Sequence, residues 1–221
     1  MTDPHKKIPF GNYRDYVIKD GKFIGAFEEM YQKIEDPWNH GDAMAIQYDL
    51  ALLLLRRHAI CQHGGRVLDI GCEKGAFTSR IRDALPQCSI TGIDISPTAV
   101  QHAREKFGSR NIEFLSLNIQ KDFRKIEPSY DLIIISQLVW YILPELEEIL
   151  DYLTDHILAI NGYLLINQAF YKPEEQTYGK DKICTVEDLL RYIRIPSVEM
   201  LESNRLTNHD AVLFFQKKDT S

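Results

Sequence analysis

The stretch Val67–Phe77, VLDIGCEKGAF, decides the reading of this sequence. A short aliphatic run ends in Asp69, and Gly71 and Gly75, four residues apart, enclose Cys72, Glu73 and Lys74. A strand that ends in a glycine turn and opens a helix is expected to present free backbone N–H groups at the carboxyl end of a sheet, where open α/β folds bind ligands. A dinucleotide fingerprint needs glycine at the first, third and sixth positions of that turn. Counted from Gly71, the third and sixth are Glu73 and Ala76. The Glu73 carboxylate would stand where a diphosphate has to sit, which disfavours nicotinamide and flavin dinucleotides. No Gly-Lys-Ser/Thr follows the turn, so it is not a Walker phosphate loop.

Outward from this turn, short β-branched runs alternate with amphipathic segments, the pattern of an α/β fold with a largely parallel sheet. Strands are expected at RVLDI, SITGID, IEFLSL, YDLIIIS and GYLLINQAF, with helices after Gly75, after Ser96 and after Pro144 and a short one near Lys121 to Ile126. Ser96 followed by Pro97 marks one helix start, and Thr185 with Asp188 offers a capping box at another. The apolar continuity of YDLIIIS and GYLLIN suits central strands covered on both faces. At the end of the chain, SVEMLESNRL and HDAVLFFQKK read as an antiparallel hairpin. Residues 63–221 therefore form the expected ligand-binding domain. Residues 1–62 fall outside the pattern: an aromatic and basic arm, a helix over about Lys22 to Ile34, the break EDPWNHGD and a helix from about Asp42 to Cys61, arranged as a cap.

The chain has 221 residues and a formal net charge of −6, with no dense Lys/Arg block to bind nucleic acid or an anionic membrane. Its longest apolar run, ALLLLRRHAI, is interrupted far short of the ~20 residues that span a bilayer. Cys61, Cys72, Cys88 and Cys184 show no metal-ligand spacing, and no secretory signal precedes them, which places reduced thiols in a cytoplasm. No metal is expected.

VLDIGCEKGAF resembles motif I of the class I S-adenosylmethionine-dependent methyltransferases, usually acidic-x-Gly-x-Gly-x-Gly, and the likeness runs from Arg66 to Lys218. The resemblance implies a Rossmann-like doubly wound sheet of seven strands, the last antiparallel and inserted beside the fifth, with S-adenosyl-L-methionine as cofactor. Asp94, about 19 residues past Gly75, would bind both ribose hydroxyls, with Ile95 beside it. Asn118, where the family usually has Asp, would meet the adenine amino group, and Ile119 would pack beside the ring. Asp69, Gly71, Cys72, Glu73 and Gly75 would line the methionine end, together with Ser136 and Gln137 after the fourth strand. The sulfonium and ammonium of such a ligand suit a site with acidic residues beneath it. Glu73 departs from the family pattern and leaves two readings, a solvated charge at the helix start, which we prefer, or a partner of the cofactor's ammonium. Lys74 is expected to face solvent.

Methyl transfer from a sulfonium is an in-line displacement that needs alignment more than many catalytic groups, although a hydroxyl acceptor wants a base within reach. The Asn/Asp-Pro-Pro-Tyr run of base methylation is replaced by SQLVW, and a catechol-type metal pattern is missing, which leaves a small, polar acceptor. The acidic-Pro-Trp of the cap, GCxxGAF and the pair Trp140 and Tyr141 resemble the nodulation-type N-methyltransferases, which act on an amino sugar. That narrower likeness implies that Trp38 lies against the cofactor and that an amino or hydroxy sugar is methylated on N or O. His40, Tyr48, Gln137 and Tyr141 are the candidates for orienting or deprotonating the acceptor, each with a plain structural alternative. A cofactor-binding partner subunit without transfer activity, and a Rossmann-type oxidoreductase, are the competing readings.

Overall fold

The computed structural model describes residues 13–38, 46–58, 60–127, 129–170, 176, 178–193, 198–206 and 209–219. A short helix α1 (Arg14–Val17) leads into a small antiparallel ladder, β1 (Ile18–Lys19) with β2 (Lys22–Phe23), and then into α2 (Phe27–Lys33). The helix expected from Lys22 is thus shorter. Asp20 and Gly21 take left-handed φ of 52° and 71° and close a hairpin, and Gly25 at 67° breaks the chain again before α2. The next helix, α3 (Ile46–Arg57), ends before Cys61, which itself has φ of 53°. The start expected near Asp42 lies outside the described residues.

The glycine-turn domain follows as β3 (Gly65–Ile70), α4 (Ala76–Ala84), β4 (Cys88–Asp94), α5 (Pro97–Phe107), β5 (Ile112–Ser116), α6 (Ile119–Asp122), β6 (Tyr130–Ser136), α7 (Leu146–Tyr152), β7 (Leu158–Ala169), α8 (Val186–Tyr192), β8 (Val198–Arg205) and β9 (Asp210–Lys217). The sheet has seven strands in the order β5-β4-β3-β6-β7-β9-β8. It is parallel from β5 to β7, and β9 runs antiparallel between β7 and β8. Two expected helix starts are built as read: the Ser96 hydroxyl accepts from the Ala99 N–H with Pro97 in the first turn, and Thr185 with Asp188 closes a capping box.

Alternation along the central strands feeds two cores. Leu68, Ile70, Ile133, Ile135, Leu164 and Ile166 face the layer that holds α7 and α8. Val67, Leu132, Ile134, Leu165, Val212 and Phe214 face α3 and α4. A period of two with both faces apolar is what a central parallel strand requires. α3 lies flat on this second face, so the part of the N-terminal region that stands over the carboxyl ends of the strands is α2 and the chain to Trp38. That part packs through Phe27, Met30, Tyr31 and Ile34, with Val17 of α1, onto Ala99 of α5.

Candidate active site

The strand order reverses at β3, whose neighbours β4 and β6 lead in opposite directions across the sheet, and ligands of open α/β sheets bind at such a point. Registers align the strand ends there: Ile70 pairs with Ile93 and Ile135, Asp94 with Ser116, and Ser136 with Asn167. The turn after β3 places Gly71, Glu73 and Gly75 at φ of 81°, 52° and 80°. Three alternate residues in the left-handed region explain why a Gly-x-Gly-x-Gly run fits this turn, and Glu73 adopts that conformation without being glycine. At Gly75 a Cβ would come within 2.9 Å of the Phe114 ring and 3.1 Å of Ala103, so helix and strand meet across a bare backbone.

Four N–H groups of this turn, expected to be free, are used by the protein. Gly71 and Cys72 donate to the Ile93 carbonyl at 2.8 and 2.9 Å, Gly75 to the Cys72 carbonyl at 2.9 Å, and Glu73 to Asp94 Oδ2 at 3.0 Å. The geometry is therefore not a phosphate nest. Asp94 is buried, and its other oxygen accepts the Ser96 N–H at 2.9 Å, so the carboxylate is fixed in place while keeping lone pairs for further donors. Burial, only partly offset by these two hydrogen bonds, pushes its pKa up to about 6, with Glu73 and Glu28 adding to the rise.

A cavity with about 600 Å³ of open space lies over these strand ends. Its floor is Gly71, Glu73, Asp94, Ile95, Asn118 and Ile119, and its far wall is Ser136, Gln137 and Leu138. The roof is aromatic: Phe27, Tyr31 and Trp38 from the cap meet Tyr141. Trp38 Nε1 donates to the Tyr31 hydroxyl at 2.7 Å, and the Tyr141 ring centroid lies 5.2 Å from Phe27 and 5.9 Å from Trp38. Phe23 extends the cluster by stacking on both Tyr141 and Tyr178. Burial beside Glu73 and Asp94 raises the Tyr31 phenol well above its usual range, so it stays a neutral donor.

Residues 68–164 match the family model of the methyltransferase domain. A malonyl-[acyl-carrier protein] O-methyltransferase from Acetivibrio thermocellus is 38% identical over 68 residues, 31% of this chain and 23% of that protein. A carboxy-S-adenosyl-L-methionine synthase from Chromohalobacter salexigens is 28% identical over 128 residues, 56% of this chain and 46% of that protein. Among solved structures, the N-methyltransferase NodS from Bradyrhizobium japonicum, in complex with S-adenosyl-L-homocysteine, matches with a TM-score of 0.63 at 18% identity, over 87% of this chain and 97% of that one. These comparisons support the class I S-adenosylmethionine-dependent methyltransferase superfamily, with a methyltransferase domain over residues 68–164. The chain's match spans less than half the length of these two curated relatives.

Of the residues that the methyltransferase resemblance singled out, Trp38, Gly71, Glu73, Asp94, Ile95, Asn118, Ile119, Ser136, Gln137 and Tyr141 share the main cavity. Asp69, Cys72 and Tyr48 line a smaller adjoining space with Glu73 and Ser136. Asp69 faces the α4 side, where it accepts from Thr78 Oγ1 at 2.6 Å, and burial pushes its pKa to about 7. The Tyr48 hydroxyl is hydrogen-bonded to Ser136, and burial raises its pKa, with Glu73 next in weight. Burial likewise raises the Cys72 thiol well above its ordinary value. His40 lies outside the described residues.

Glu73 and Lys74 depart from expectation, and Trp140 and Gln137 find definite partners. Glu73 is half-buried and lines the cavity two residues ahead of Gly75, the helix N-cap, instead of standing as a solvated helix-start charge. Lys74 is half-buried too, because its ammonium reaches back to the Glu35 carbonyl of the cap. Trp140 turns into the core, donating to the Ala169 carbonyl at 2.9 Å and packing on Phe170, so only Tyr141 of that pair reaches the site. Gln137, at φ of 55°, spends its amide on β7: Nε2 lies 3.3 Å from Asn167 Oδ1, and Oε1 accepts the Ala169 N–H at 2.9 Å. Sequence reasoning missed Phe27, Tyr31, Leu117, Gln120 and Leu138. The aromatic spacing of Phe27 and Tyr31, one helical turn apart and shortly before Trp38, was the available signal.

Proposed function

We propose that this chain is a cytoplasmic S-adenosylmethionine-dependent methyltransferase that moves a methyl group to N or O of a small polar acceptor, an amino or hydroxy sugar being the acceptor class. The observation that carries this reading is Asp94: a buried carboxylate held by two backbone N–H groups at the switch point, over a cavity whose turn amides are already satisfied. That combination suits a ligand with a ribose diol and positive charge, and offers nothing to a diphosphate.

The bound cofactor supplies a methyl group already activated on a sulfonium. The chain then has to hold and align. Asp94 accepts from the two ribose hydroxyls, Ile95 and Ile119 flank the adenine with Asn118 at its edge, and Glu73 meets the ammonium at the methionine end. Asn118 is fixed for this by capping α6, its Oδ1 accepting the Gln120 N–H at 3.0 Å. Phe27, Tyr31, Trp38 and Tyr141 exclude water and offer faces on which a sugar ring stacks. Ser136, oriented by Asn167 Nδ2 at 3.1 Å and by Tyr48, is the hydroxyl best placed to orient the acceptor. An amine needs to arrive neutral and loses its proton to solvent after transfer; a hydroxyl needs a base in reach.

Calorimetric titration with S-adenosylhomocysteine and with a nicotinamide dinucleotide tests the cofactor. Binding of the dinucleotide alone would overturn the reading in favour of an oxidoreductase. Transfer of a radiolabelled methyl group is then screened over amino and hydroxy sugars, small amines and malonyl-acyl carrier protein. Labelling of an amino or hydroxy sugar is the expected result, and cofactor binding without transfer to any acceptor would favour an inactive partner subunit.

A further inference from the structure

The cap is tied to the cavity floor by a carboxylate that the methyl-transfer chemistry does not use. Glu28 on α2 has both oxygens doubly engaged. Oε2 accepts from Ser96 Oγ at 2.6 Å and from the Thr98 N–H at 3.2 Å, while Oε1 accepts from Thr98 Oγ1 at 2.6 Å and from Gln32 Nε2 at 2.7 Å. Four donors fill the capacity of a carboxylate. The Thr98 N–H belongs to the first turn of α5, where the helix dipole also favours an anion. Burial alone would raise the Glu28 pKa, but the bonds from Ser96, Thr98 and Gln32 outweigh it and hold the carboxyl below its ordinary range.

Ser96 joins this contact to the floor. Its N–H donates to Asp94 and its hydroxyl to Glu28, so one residue reports to the cap and to the buried carboxylate at once. Glu28 sits directly beside Phe27 and one turn from Tyr31, the two α2 residues in the roof. A second tie, from Lys74 to the Glu35 carbonyl, lands on the other floor turn and is a single bond to a neutral acceptor.

We propose that Glu28 is a positioning residue that clasps the cap to the turn after Asp94 and sets the rate at which the cofactor enters and leaves. This rests on the reading of the cavity as the S-adenosylmethionine site. A ligand roofed by Phe27 and Tyr31 passes only when α2 lifts, and α2 lifts only by breaking the bonds to Ser96 and Thr98. Removing the clasp therefore speeds entry and release together.

Stopped-flow tryptophan fluorescence on the full chain, with S-adenosylhomocysteine as probe, measures both rates. Glu28→Ala is expected to raise each by about tenfold or more, the net weight of the three bonds from Ser96 and Thr98 that opening has to break. Thr98→Val, which deletes one hydroxyl donor and keeps the shape, is expected to move both rates the same way by about threefold; it carries the test if Glu28→Ala does not fold. Unchanged rates in a folded variant would overturn the clasp, as would faster release without faster entry, which marks lost contacts and not easier opening. Wild-type protein that binds no S-adenosylhomocysteine would overturn the cofactor reading itself.

Discussion

The floor and the roof of the cavity are built differently. The floor is backbone: strand ends in fixed register and a turn with left-handed residues at positions 71, 73 and 75, whose N–H groups pair with the Ile93 carbonyl, the Asp94 carboxylate and the Cys72 carbonyl. The roof is side chains, two aromatic rings on a seven-residue helix, one from the chain after it and one from a 3₁₀ turn, held by packing and a few hydrogen bonds. A floor of this kind is rigid because shifting it breaks the sheet's own pairing. A roof of this kind moves by breaking local contacts, which free-energy arguments place at the low-stability end of a fold. On the proposed reading, the floor would set binding and the roof would set access.

The largest effect should come from a side chain placed in the floor. Gly75→Val places new carbons against the Phe114 ring and Ala103 at φ of 80°, and should cost roughly 3 kcal/mol or more, lowering Tm by about 10 °C. Differential scanning calorimetry checks this. An unchanged Tm would mean the turn deforms freely and the floor is not the rigid part.

Asp94→Ala comes next, with S-adenosylhomocysteine affinity expected to fall about 100-fold by calorimetry, the loss of a pair of hydrogen bonds to a charged acceptor. The pH dependence has a definite sign. The folded pKa is raised from 3.8 to about 6, so without ligand the fold is most stable with Asp94 protonated and loses that contribution as pH rises through 6. If Asp94 holds the ribose as proposed, binding needs the ionised form, and affinity should decline as pH falls below about 6. Asp94→Asn should abolish that decline, and an identical decline in the variant would assign it elsewhere. Trp38→Ala acts on the roof: on the proposed reading it should cost about tenfold in affinity, and because the half-buried ring also packs on the cap cluster, Tm should fall by less than in Gly75→Val. A Tm loss as large as that of Gly75→Val would make the roof structural.

The same division governs what could be read without coordinates. Gly71, Gly75 and Asp94 were legible because their conformational demands are local: a turn needs positive φ, a strand end needs an acid, and both are written within a few residues. Helix starts at Ser96 and Thr185 were legible for the same reason. The cap was not. Phe23 sits in a hairpin dictated by Asp20 and Gly21, α2 is short, and Glu28 meets its partners Ser96 and Thr98 across some seventy residues of chain. Trp140 and Tyr141 are neighbours in sequence, yet a 3₁₀ turn sends one to the core and one to the cavity. Lys74 was misread because its partner, a carbonyl of the cap, has no sequence signature at all.

Glu73 is the point where floor and charge coincide, and the smallest effect gives the finest distinction. A non-glycine residue at φ of 52° carries left-handed strain of about 1–2 kcal/mol. Replacing it by glycine removes the strain but loosens the unfolded chain by about 0.4–1 kcal/mol, so Glu73→Gly should gain roughly 0.5 kcal/mol and raise Tm by about 1–2 °C. Glu73→Gln keeps the backbone cost and removes the charge. If the carboxylate meets the ammonium of the ligand, both variants should lose about five- to tenfold in S-adenosylhomocysteine affinity while only the glycine variant gains Tm. Equal affinity in all three proteins would leave Glu73 as a strained residue tolerated in the turn, its charge serving only to repel a diphosphate.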